Sequence, residues 1–253
     1  MAGNLEDLKI NLVIFINMNN ISIIIPTYKE KDNIFKLTQM ILSILPKATI
    51  YIVDDTKNLS LKRYFKNKRI KYFLRKNKKG RGSAVLYGLN KSLQKKTHKI
   101  FIEMDADFSH NPNELRKKIN YFTKKKLDLL ISSRYLKKSK IINWPKSRLL
   151  FSKLSNLLAR ILLRVGVTDY TNGYRVYSRR SVDLIVKKCG KIGDGFIVLS
   201  EILLTIKLKK YKIDEMPSIF VNRKRGESSV NLKLIIQSLF GIIKLYFIKI
   251  NNS

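Results

Sequence analysis

The 253-residue chain contains 52 lysine and arginine residues against 18 aspartate and glutamate residues, a formal net charge of +34. Its 45% hydrophobic content excludes a disordered polymer and is enough for one large folded domain. The single cysteine, Cys189, excludes an intrachain disulfide, and two histidines are too few for a conventional zinc site. A charge of this sign attracts phosphates, nucleic acids and anionic lipids. Because the lysines are scattered, compositional bias explains the charge better than a dedicated nucleic-acid surface.

The first half of the chain alternates apolar runs with amphipathic segments. Residues 1–20 are predicted to be an N-terminal extension, with Met18 as a candidate start. Strands are predicted at residues 21–25, 49–53, 70–74, 99–104 and 128–132, and helices at residues 29–45, 83–93 and 114–125. This alternation is typical of a parallel α/β sheet, in which the strands end at a common edge.

The second half of the chain is less regular. Helices are predicted at residues 144–165, 181–188 and 197–208, an extended segment at 213–220, and a closing amphipathic helix at 232–250. Two polar segments lie between them, a turn at 169–175 and a basic loop at 223–229. No repeat or linker marks a second domain, so the sequence predicts a single one.

Two aspartates follow the apolar strand predicted at residues 99–104. Asp105 and Asp107 would reach the carboxyl edge of the sheet, where open α/β sheets bind ligands. Two carboxylates so close repel each other unless a positive group neutralises them, and Mg²⁺ or Mn²⁺ would do so. Alternatively, the two aspartates only form a solvated Asx turn before the next helix. The pair alone leaves both interpretations open.

Several short motifs follow one another along the chain in a specific order. They are Ile25-Pro26-Thr27-Tyr28-Lys29-Glu30, Val53-Asp54-Asp55, Gly80-Arg81-Gly82-Ser83-Ala84, Met104-Asp105-Ala106-Asp107-Phe108-Ser109-His110-Asn111-Pro112, Ser133-Arg134-Tyr135, Thr171-Asn172-Gly173-Tyr174-Arg175, and Arg223 with Gly226-Glu227-Ser228. Together they resemble the family 2 inverting glycosyltransferases, specifically the dolichyl-phosphate (polyprenyl-phosphate) mannose synthases. The resemblance implies an α/β fold of the GT-A type, with a mostly parallel central sheet flanked by helices. It places the glycosyltransferase domain at residues 21–230 and a C-terminal amphipathic helix at 231–253.

The resemblance also implies a role for individual residues of this chain. The nucleotide sugar would contact Pro26, Tyr28, Glu30, Val53, Asp55, Asp105, Ala106, Asp107, Arg134 and Arg223. The metal ligands would be Asp105, Asp107 and Ser109, and the acceptor phosphate would contact Arg148 and Ser152. The catalytic residues implied are Asp107, Arg134 and Arg148.

The implied reaction is metal-dependent transfer of mannose from GDP-mannose to a dolichyl or polyprenyl phosphate, with Mg²⁺ or Mn²⁺ as cofactor. A metal and arginine side chains would stabilise the departing diphosphate. The attacking lipid phosphate is already anionic near neutral pH, because its second pKa is about 6. A strong general base is therefore not required.

Two departures from the family pattern leave other functions open. Residues 56–60 replace the usual Ser/Asp/Gly-Thr turn, and Ser229 stands where the family usually carries a lysine. A related GT-A enzyme that uses a UDP-hexose such as glucose, or a saccharide acceptor, is therefore the first alternative. A basic nucleic-acid- or membrane-binding module is the second, and it predicts clustered basic residues with interleaved aromatics.

A polyprenyl-phosphate acceptor lives in a bilayer, so we expect a peripheral protein at the cytoplasmic face of an anionic membrane surface. Residues 149–167 and 232–250 combine apolar residues with lysines and arginines. These helices either lie in the membrane interface or pack on the sheet. A membrane-embedded partner subunit is a further alternative, and no nucleic-acid partner is expected.

Overall fold

The computed structural model describes residues 20–56, 61–76, 80–222 and 232–251, with the backbone alone for residues 232–238. The predicted extension before residue 20 lies outside these ranges, as do residues 57–60 and the predicted basic loop at 223–229.

The described strands form a central sheet and a small separate pair. The sheet contains β1 (Ile21–Thr27), β2 (Thr49–Asp54), β3 (Ile70–Leu74), β4 (Ile100–Glu103), β5 (Leu129–Ser133), β7 (Arg175–Ser178) and β8 (Ile213–Pro217). The spatial order is β3-β2-β1-β4-β7-β5-β8. Neighbouring strands are parallel, except that β7 runs antiparallel to both β4 and β5. The pair consists of β6 (Lys140–Ile142) and β9 (Ile219–Val221).

Helices cover both faces of the sheet. They are α1 (Lys31–Ile44), α2 (Arg81–Leu93), α3 (Leu115–Lys124), α4 (Lys146–Leu163), α5 (Arg179–Lys188), α6 (Ile197–Leu208) and α7 (Leu232–Ile250). The buried side chains of α1 and α3 belong to one apolar core, and those of α2 and α4–α7 belong to a second core. No helix within the described ranges combines the length and the apolar character needed to cross a membrane.

The β-branched run in β1 suits a strand in the interior of the sheet, between β2 and β4. Ile23 and Ile25 pack into one core, while Ile24 packs into the other. Successive side chains of a strand point to opposite faces, so a strand buried on both faces needs a continuous apolar sequence.

The structure confirms the predicted α/β class and mostly parallel sheet, and it adds two strands. The predicted turn at residues 169–175 ends in β7, whose first residue is Arg175. Strand β6 lies in a segment for which no element was predicted. Strand β7 inserts between β4 and β5, so it connects the first half of the sheet to the second.

Candidate active site

A cavity of about 160 Å³ lies beyond the carboxyl ends of β4 and β5. It is lined by six of the predicted site residues, namely Asp105, Asp107, Ser109, Arg134, Arg148 and Ser152. The rest of its wall is largely apolar and includes Trp144, Phe151, Phe196, Ile197, Phe220, Leu239 and Ile242. Charged and apolar side chains therefore meet in one cavity.

The loop after β4 is held by its own hydrogen bonds. The Asp107 carboxylate accepts a bond from the backbone N–H of Ser109 at 3.0 Å. Phe108 between them has φ of +59°, in the left-handed region. The predicted Asx turn is thus present, but the cap of the following 3₁₀ turn comes from Asn111, whose side chain accepts from the N–H of Asn113. Asp105 and Asp107 remain in the cavity wall.

Arg81, the first residue of α2, is the charged partner of Asp105. Its guanidinium lies 2.7 Å from a carboxylate oxygen of Asp105 and 2.7 Å from one of Glu103. Burial lowers the pKa of Arg81, but these two carboxylates raise it more, so the guanidinium stays charged. Arg81 belongs to the Gly80-Arg81-Gly82 motif, but the family resemblance predicts no role for it, so its place in the site is a finding of the structure.

His110 fixes the Asp105 backbone from behind. Its Nδ1 accepts a bond from the N–H of Asp105 at 3.0 Å, and its Nε2 lies 2.9 Å from Oδ1 of Asn172. The ring stacks on Tyr174. Burial lowers the pKa of His110, although the carboxylates of Asp105 and Asp107 oppose this effect. A neutral ring with its proton on Nε2 satisfies both hydrogen bonds, so His110 has a positioning role.

Arg134 follows β5, and its guanidinium group donates hydrogen bonds to two side chains, Asp169 and Thr171. Nε and Nη2 donate to the two carboxylate oxygens of Asp169, each at 2.8 Å, and Nη2 also donates to Thr171. Burial by itself would raise the pKa of Asp169, but Arg134 and backbone N–H groups bring it below its ordinary value. The Arg134 guanidinium also lies over the Trp144 ring, 5.3 Å from its centre. Its charge is therefore largely compensated within the protein.

Arg148 and Ser152 line the cavity from α4. The Arg148 guanidinium lies 4.3 Å from the centre of the Trp144 ring, and its Nη1 donates to Oδ1 of Asn222 at 3.0 Å. The Ser152 hydroxyl accepts a bond from the Tyr135 hydroxyl at 2.6 Å. Trp144 and Tyr135 thus hold these two polar groups at the cavity wall.

The residues predicted to bind the nucleotide lie at the ends of β1 and β2, next to each other. Pro26 pairs with Val53 in the sheet register, and the N–H of Asp55 donates to the carbonyl of Thr27 at 3.1 Å. Arg75 forms a two-pronged bond to the Asp55 carboxylate, with both distances 2.6 Å.

Other residues predicted to bind the nucleotide differ in exposure and position. The Tyr28 side chain is 38% exposed, while Ala106 is buried. Glu30 accepts a bond from Asn33 at 2.6 Å. Of these residues, none belongs to the lining of the cavity. Arg223 lies outside the described residues.

The donor set at the cavity fits a hard divalent cation. Asp105, Asp107 and Ser109 offer carboxylate and hydroxyl oxygens on a single loop. Mg²⁺ typically takes one or two carboxylates and leaves its other positions to water and substrate phosphates. Among the described residues there is no group of three or more histidine, cysteine, aspartate or glutamate side chains suited to hold a metal. A cation held by Asp105, Asp107 and Ser109 would complete its coordination with water and substrate phosphates.

Known proteins match this chain over most of its length. The chain is 30% identical over 226 residues to the polyprenol monophosphomannose synthase of Mycolicibacterium smegmatis. This alignment covers 87% of this chain and 84% of that protein. It is 31% identical over 229 residues to the undecaprenyl-phosphate mannosyltransferase of Micrococcus luteus, covering 87% of this chain and 91% of that protein.

Solved structures share the fold at low sequence identity. A crystal structure of a mycobacterial protein has a TM-score of 0.65 at 15% identity and covers 90% of this chain and 75% of that one. Glucosyl-3-phosphoglycerate synthase from Mycobacterium tuberculosis, solved with Mn²⁺, UDP and glucosyl-3-phosphoglycerate, has a TM-score of 0.63 at 14% identity and covers 91% of this chain and 79% of that one. These likenesses confirm the predicted GT-A type of fold.

The family model for glycosyl transferase family 2 matches residues 22–185, which include all but the first residue of β1, the Asp105–Asp107 loop and β7. This match agrees with the two mannosyltransferase relatives and with the residues that line the cavity. The predicted resemblance to polyprenyl-phosphate mannose synthases is confirmed, and the chain belongs to glycosyl transferase family 2.

Proposed function

We propose that this protein transfers mannose from GDP-mannose to a polyprenyl phosphate, with inversion at the anomeric carbon. The observation that carries this proposal is the composition of the cavity, which joins the Asp105–Asp107 loop to a wall rich in aromatic and aliphatic side chains. Such a cavity suits a diphosphate at one end and an apolar acceptor at the other. The names of the two relatives support the transfer of mannose and a polyprenyl-phosphate acceptor.

On the donor side, Asp105, Asp107 and Ser109 would hold Mg²⁺ or Mn²⁺, and this cation would supply positive charge against the departing diphosphate. Arg81 pairs with Asp105 and would share with the cation the neutralisation of this carboxylate. The nucleotide would occupy the ends of β1 and β2, near Pro26 and the exposed ring of Tyr28. Arg223 would contact the diphosphate.

On the acceptor side, a phosphate oxygen of the lipid attacks the anomeric carbon while the bond from that carbon to the GDP oxygen breaks. The attacking oxygen is already anionic near neutral pH, since the second pKa of a phosphate monoester is about 6. Arg148 and Ser152 would orient this phosphate, and Arg134 with its partner Asp169 would shape the wall behind it. The residues accelerate transfer by holding two phosphates in line rather than by removing a proton.

We assign the glycosyltransferase domain to residues 21–230 and place the reaction at the cytoplasmic face of a membrane. The acceptor is a membrane lipid while the donor is a charged, water-soluble molecule, so the cavity has to serve both phases. Residues 231–253 would belong to the membrane-facing part of the protein.

Isothermal calorimetry with GDP-mannose and UDP-glucose, each with and without Mn²⁺, tests the donor. We expect GDP-mannose to bind in a Mn²⁺-dependent manner, and Asp107→Ala to weaken binding about tenfold or more, because a carboxylate ligand is lost. Asp183→Ala is the matched control, since Asp183 lies on α5, half exposed, and pairs with exposed Lys187.

Three results would contradict the proposal. Tighter binding of UDP-glucose than of GDP-mannose would identify a UDP-hexose as the donor. The serine at position 229, where the family usually carries a lysine, leaves this alternative open. Equal binding by Asp107→Ala would remove the metal role of this residue. Salt-sensitive nucleic-acid binding without nucleotide-sugar binding would favour the basic binding module.

A further inference from the structure

The Ser152 hydroxyl lines the cavity one helical turn after Arg148 on α4. Residues four apart on a helix share a face, so both side chains can reach the same ligand. A guanidinium group only donates hydrogen bonds, whereas a hydroxyl both donates and accepts. What Ser152 offers to a ligand therefore depends on the direction of its hydroxyl hydrogen.

Tyr135, in the loop after β5, occupies an acceptor position of the Ser152 hydroxyl. Its phenol donates to Oγ of Ser152 at a distance of 2.6 Å. A phenol is a stronger acid than an aliphatic hydroxyl, so Tyr135 is the donor of this pair. Burial raises the pKa of Tyr135, although the neighbouring charge of Arg134 opposes this effect. The phenol therefore keeps the proton that it donates.

The bond from Tyr135 leaves the hydrogen of the Ser152 hydroxyl to point elsewhere. One lone pair of Oγ accepts the phenol hydrogen, and the serine keeps its own hydrogen as a donor. Among the residues that the structure describes, this hydroxyl forms no second hydrogen bond. Because Ser152 belongs to the cavity lining, its hydrogen is available to a ligand in the cavity.

We propose that Tyr135 is a positioning residue, which directs the Ser152 hydroxyl hydrogen into the cavity so that it donates to an oxygen of the acceptor phosphate. A hydroxyl that accepts one hydrogen bond is also a stronger donor of the next, so the phenol strengthens this contact. The identity of the phosphate rests on the proposed function. The family resemblance predicts no role for Tyr135, although its motif includes this residue.

Other hydrogen bonds hold α4 to the same part of the structure. Arg134 donates to the Thr171 hydroxyl at 2.6 Å, and Asn156 of α4 donates to the same hydroxyl at 3.3 Å. Asn156 also donates to the backbone carbonyl of Ser152 at 2.8 Å. Removing the phenol hydroxyl of Tyr135 leaves these bonds in place, so the position of α4 should not change.

Calorimetric titration with farnesyl phosphate, a soluble short-chain polyprenyl phosphate, tests this role. Tyr135→Phe keeps the ring and removes the hydroxyl, after which the Ser152 hydrogen can turn to a backbone carbonyl of its own helix. We expect the variant to bind farnesyl phosphate about fivefold more weakly than the wild type, and GDP-mannose equally well. Tyr121→Phe is the matched control, because the Tyr121 phenol donates to Asp214 at 2.7 Å outside the cavity.

Two further measurements distinguish positioning of Ser152 from a merely structural role of Tyr135. If Tyr135 acts through Ser152, Tyr135→Phe should weaken binding no further in a protein that already carries Ser152→Ala. Trp144 is the only tryptophan of the chain and lines the same cavity, so its fluorescence reports on the cavity wall. We expect the emission spectrum of ligand-free Tyr135→Phe to match that of the wild type.

Four outcomes would overturn the inference. Equal affinity of Tyr135→Phe and the wild type, or an undiminished effect of Tyr135→Phe in the Ser152→Ala background, would reject the positioning role and leave the transferase proposal intact. A shifted emission spectrum of Trp144 would make the role of Tyr135 structural. An equal loss of binding in Tyr121→Phe would assign the effect to a general loss of stability. Absence of farnesyl phosphate binding by the wild type would contradict the proposed acceptor itself, and the positioning role with it.

Discussion

Arg81 is the residue on which the charge balance of the site depends. It contacts Glu103, whose side chain is completely buried, and Asp105, whose side chain is 27% exposed. Glu103 also accepts a bond from the Tyr177 hydroxyl at 2.7 Å. Removing the cation from a buried ion pair leaves the carboxylate charged and out of contact with water. The resulting loss of folding free energy is larger than the stabilisation that the intact pair provided.

We predict that Arg81→Met destabilises the protein by about 3 kcal/mol, measured as the free energy of unfolding in urea. The control is Arg81→Met combined with Glu103→Gln, which removes the orphaned charge and should recover part of the loss. A double variant as unstable as the sum of its two single variants would show that Arg81 and Glu103 do not interact energetically.

His98 provides a test of burial that is independent of the site. Its side chain is completely buried, and its Nδ1 lies 3.1 Å from the carbonyl of Ser92, to which it donates. Burial lowers the pKa of His98 from 6.5 to about 4. Between these values the unfolded chain binds a proton that the folded protein does not, so the contribution of His98 to stability is complete above pH 6.5 and falls with pH.

We predict that the unfolding free energy of the wild type falls more steeply between pH 6.5 and 4 than that of His98→Phe, by roughly 1 kcal/mol per pH unit. Phenylalanine keeps the edge-to-face packing on Tyr51 and Phe101 without a titrating group. Urea unfolding at several pH values measures the difference. Parallel curves for the two proteins would mean that His98 has the same pKa in both states.

Among the elements, α2 lies close to the sheet at Gly88. A Cβ at this position would lie 2.6 Å from Cγ2 of Ile24 and 3.1 Å from Cγ2 of Val53. Strands β1 and β2 supply these two side chains, and their ends carry the predicted nucleotide site. The helix therefore cannot accept a larger residue here without moving away from the strands.

We predict that Gly88→Ala destabilises the protein by about 1–3 kcal/mol, although alanine favours a helix by about 1 kcal/mol over glycine. Asn90→Ala on the same helix is exposed, so it should be neutral or slightly stabilising. Thermal unfolding of both variants measures the contrast. A stabilised Gly88→Ala would show that α2 can shift at little cost.

Helices and strands with a strong local sequence pattern are predictable from the sequence. Those whose formation depends on contacts with residues far away in the sequence are not. The continuous β-branched run predicts β1, and the spacing of apolar residues predicts the amphipathic helices. Strand β7 was missed because it is short and begins with Arg175. This arginine is buried and donates to the carbonyls of Tyr170, Asn172 and Leu199, so its charge conceals a core position.

The same reasoning separates the site residues. Asp105 and Asp107 were identifiable because both follow one strand in the sequence. Arg81 is 24 residues away from Asp105, and Asp169 is 35 residues away from Arg134, so neither pairing leaves a local pattern. The sequence motifs therefore indicate candidate site residues, but only the fold shows which of these residues are in contact.

For the whole molecule, the order of the strands places the predicted nucleotide residues and the predicted acceptor residues at different parts of the sheet edge. Strands β3, β2, β1 and β4 form a parallel set, and the predicted nucleotide residues lie at the ends of β1 and β2. The cavity residues Arg148 and Ser152 come instead from α4, after β5. Donor and acceptor would therefore be bound by different parts of the sheet edge, with the Asp105–Asp107 loop of β4 between them.

We predict that variants in the two halves affect different substrates in steady-state transfer assays. Tyr28→Ala should raise KM for the nucleotide sugar about tenfold, because the exposed ring proposed to stack on the base is lost. Arg148→Gln should raise KM for the lipid phosphate about tenfold or more, because the charged hydrogen bond proposed between Arg148 and the phosphate is lost. Tyr64→Ala and Arg63→Gln are the matched controls, since both side chains are exposed outside the cavity. If either site variant raised both KM values equally, one shared subsite rather than two halves would bind the substrates.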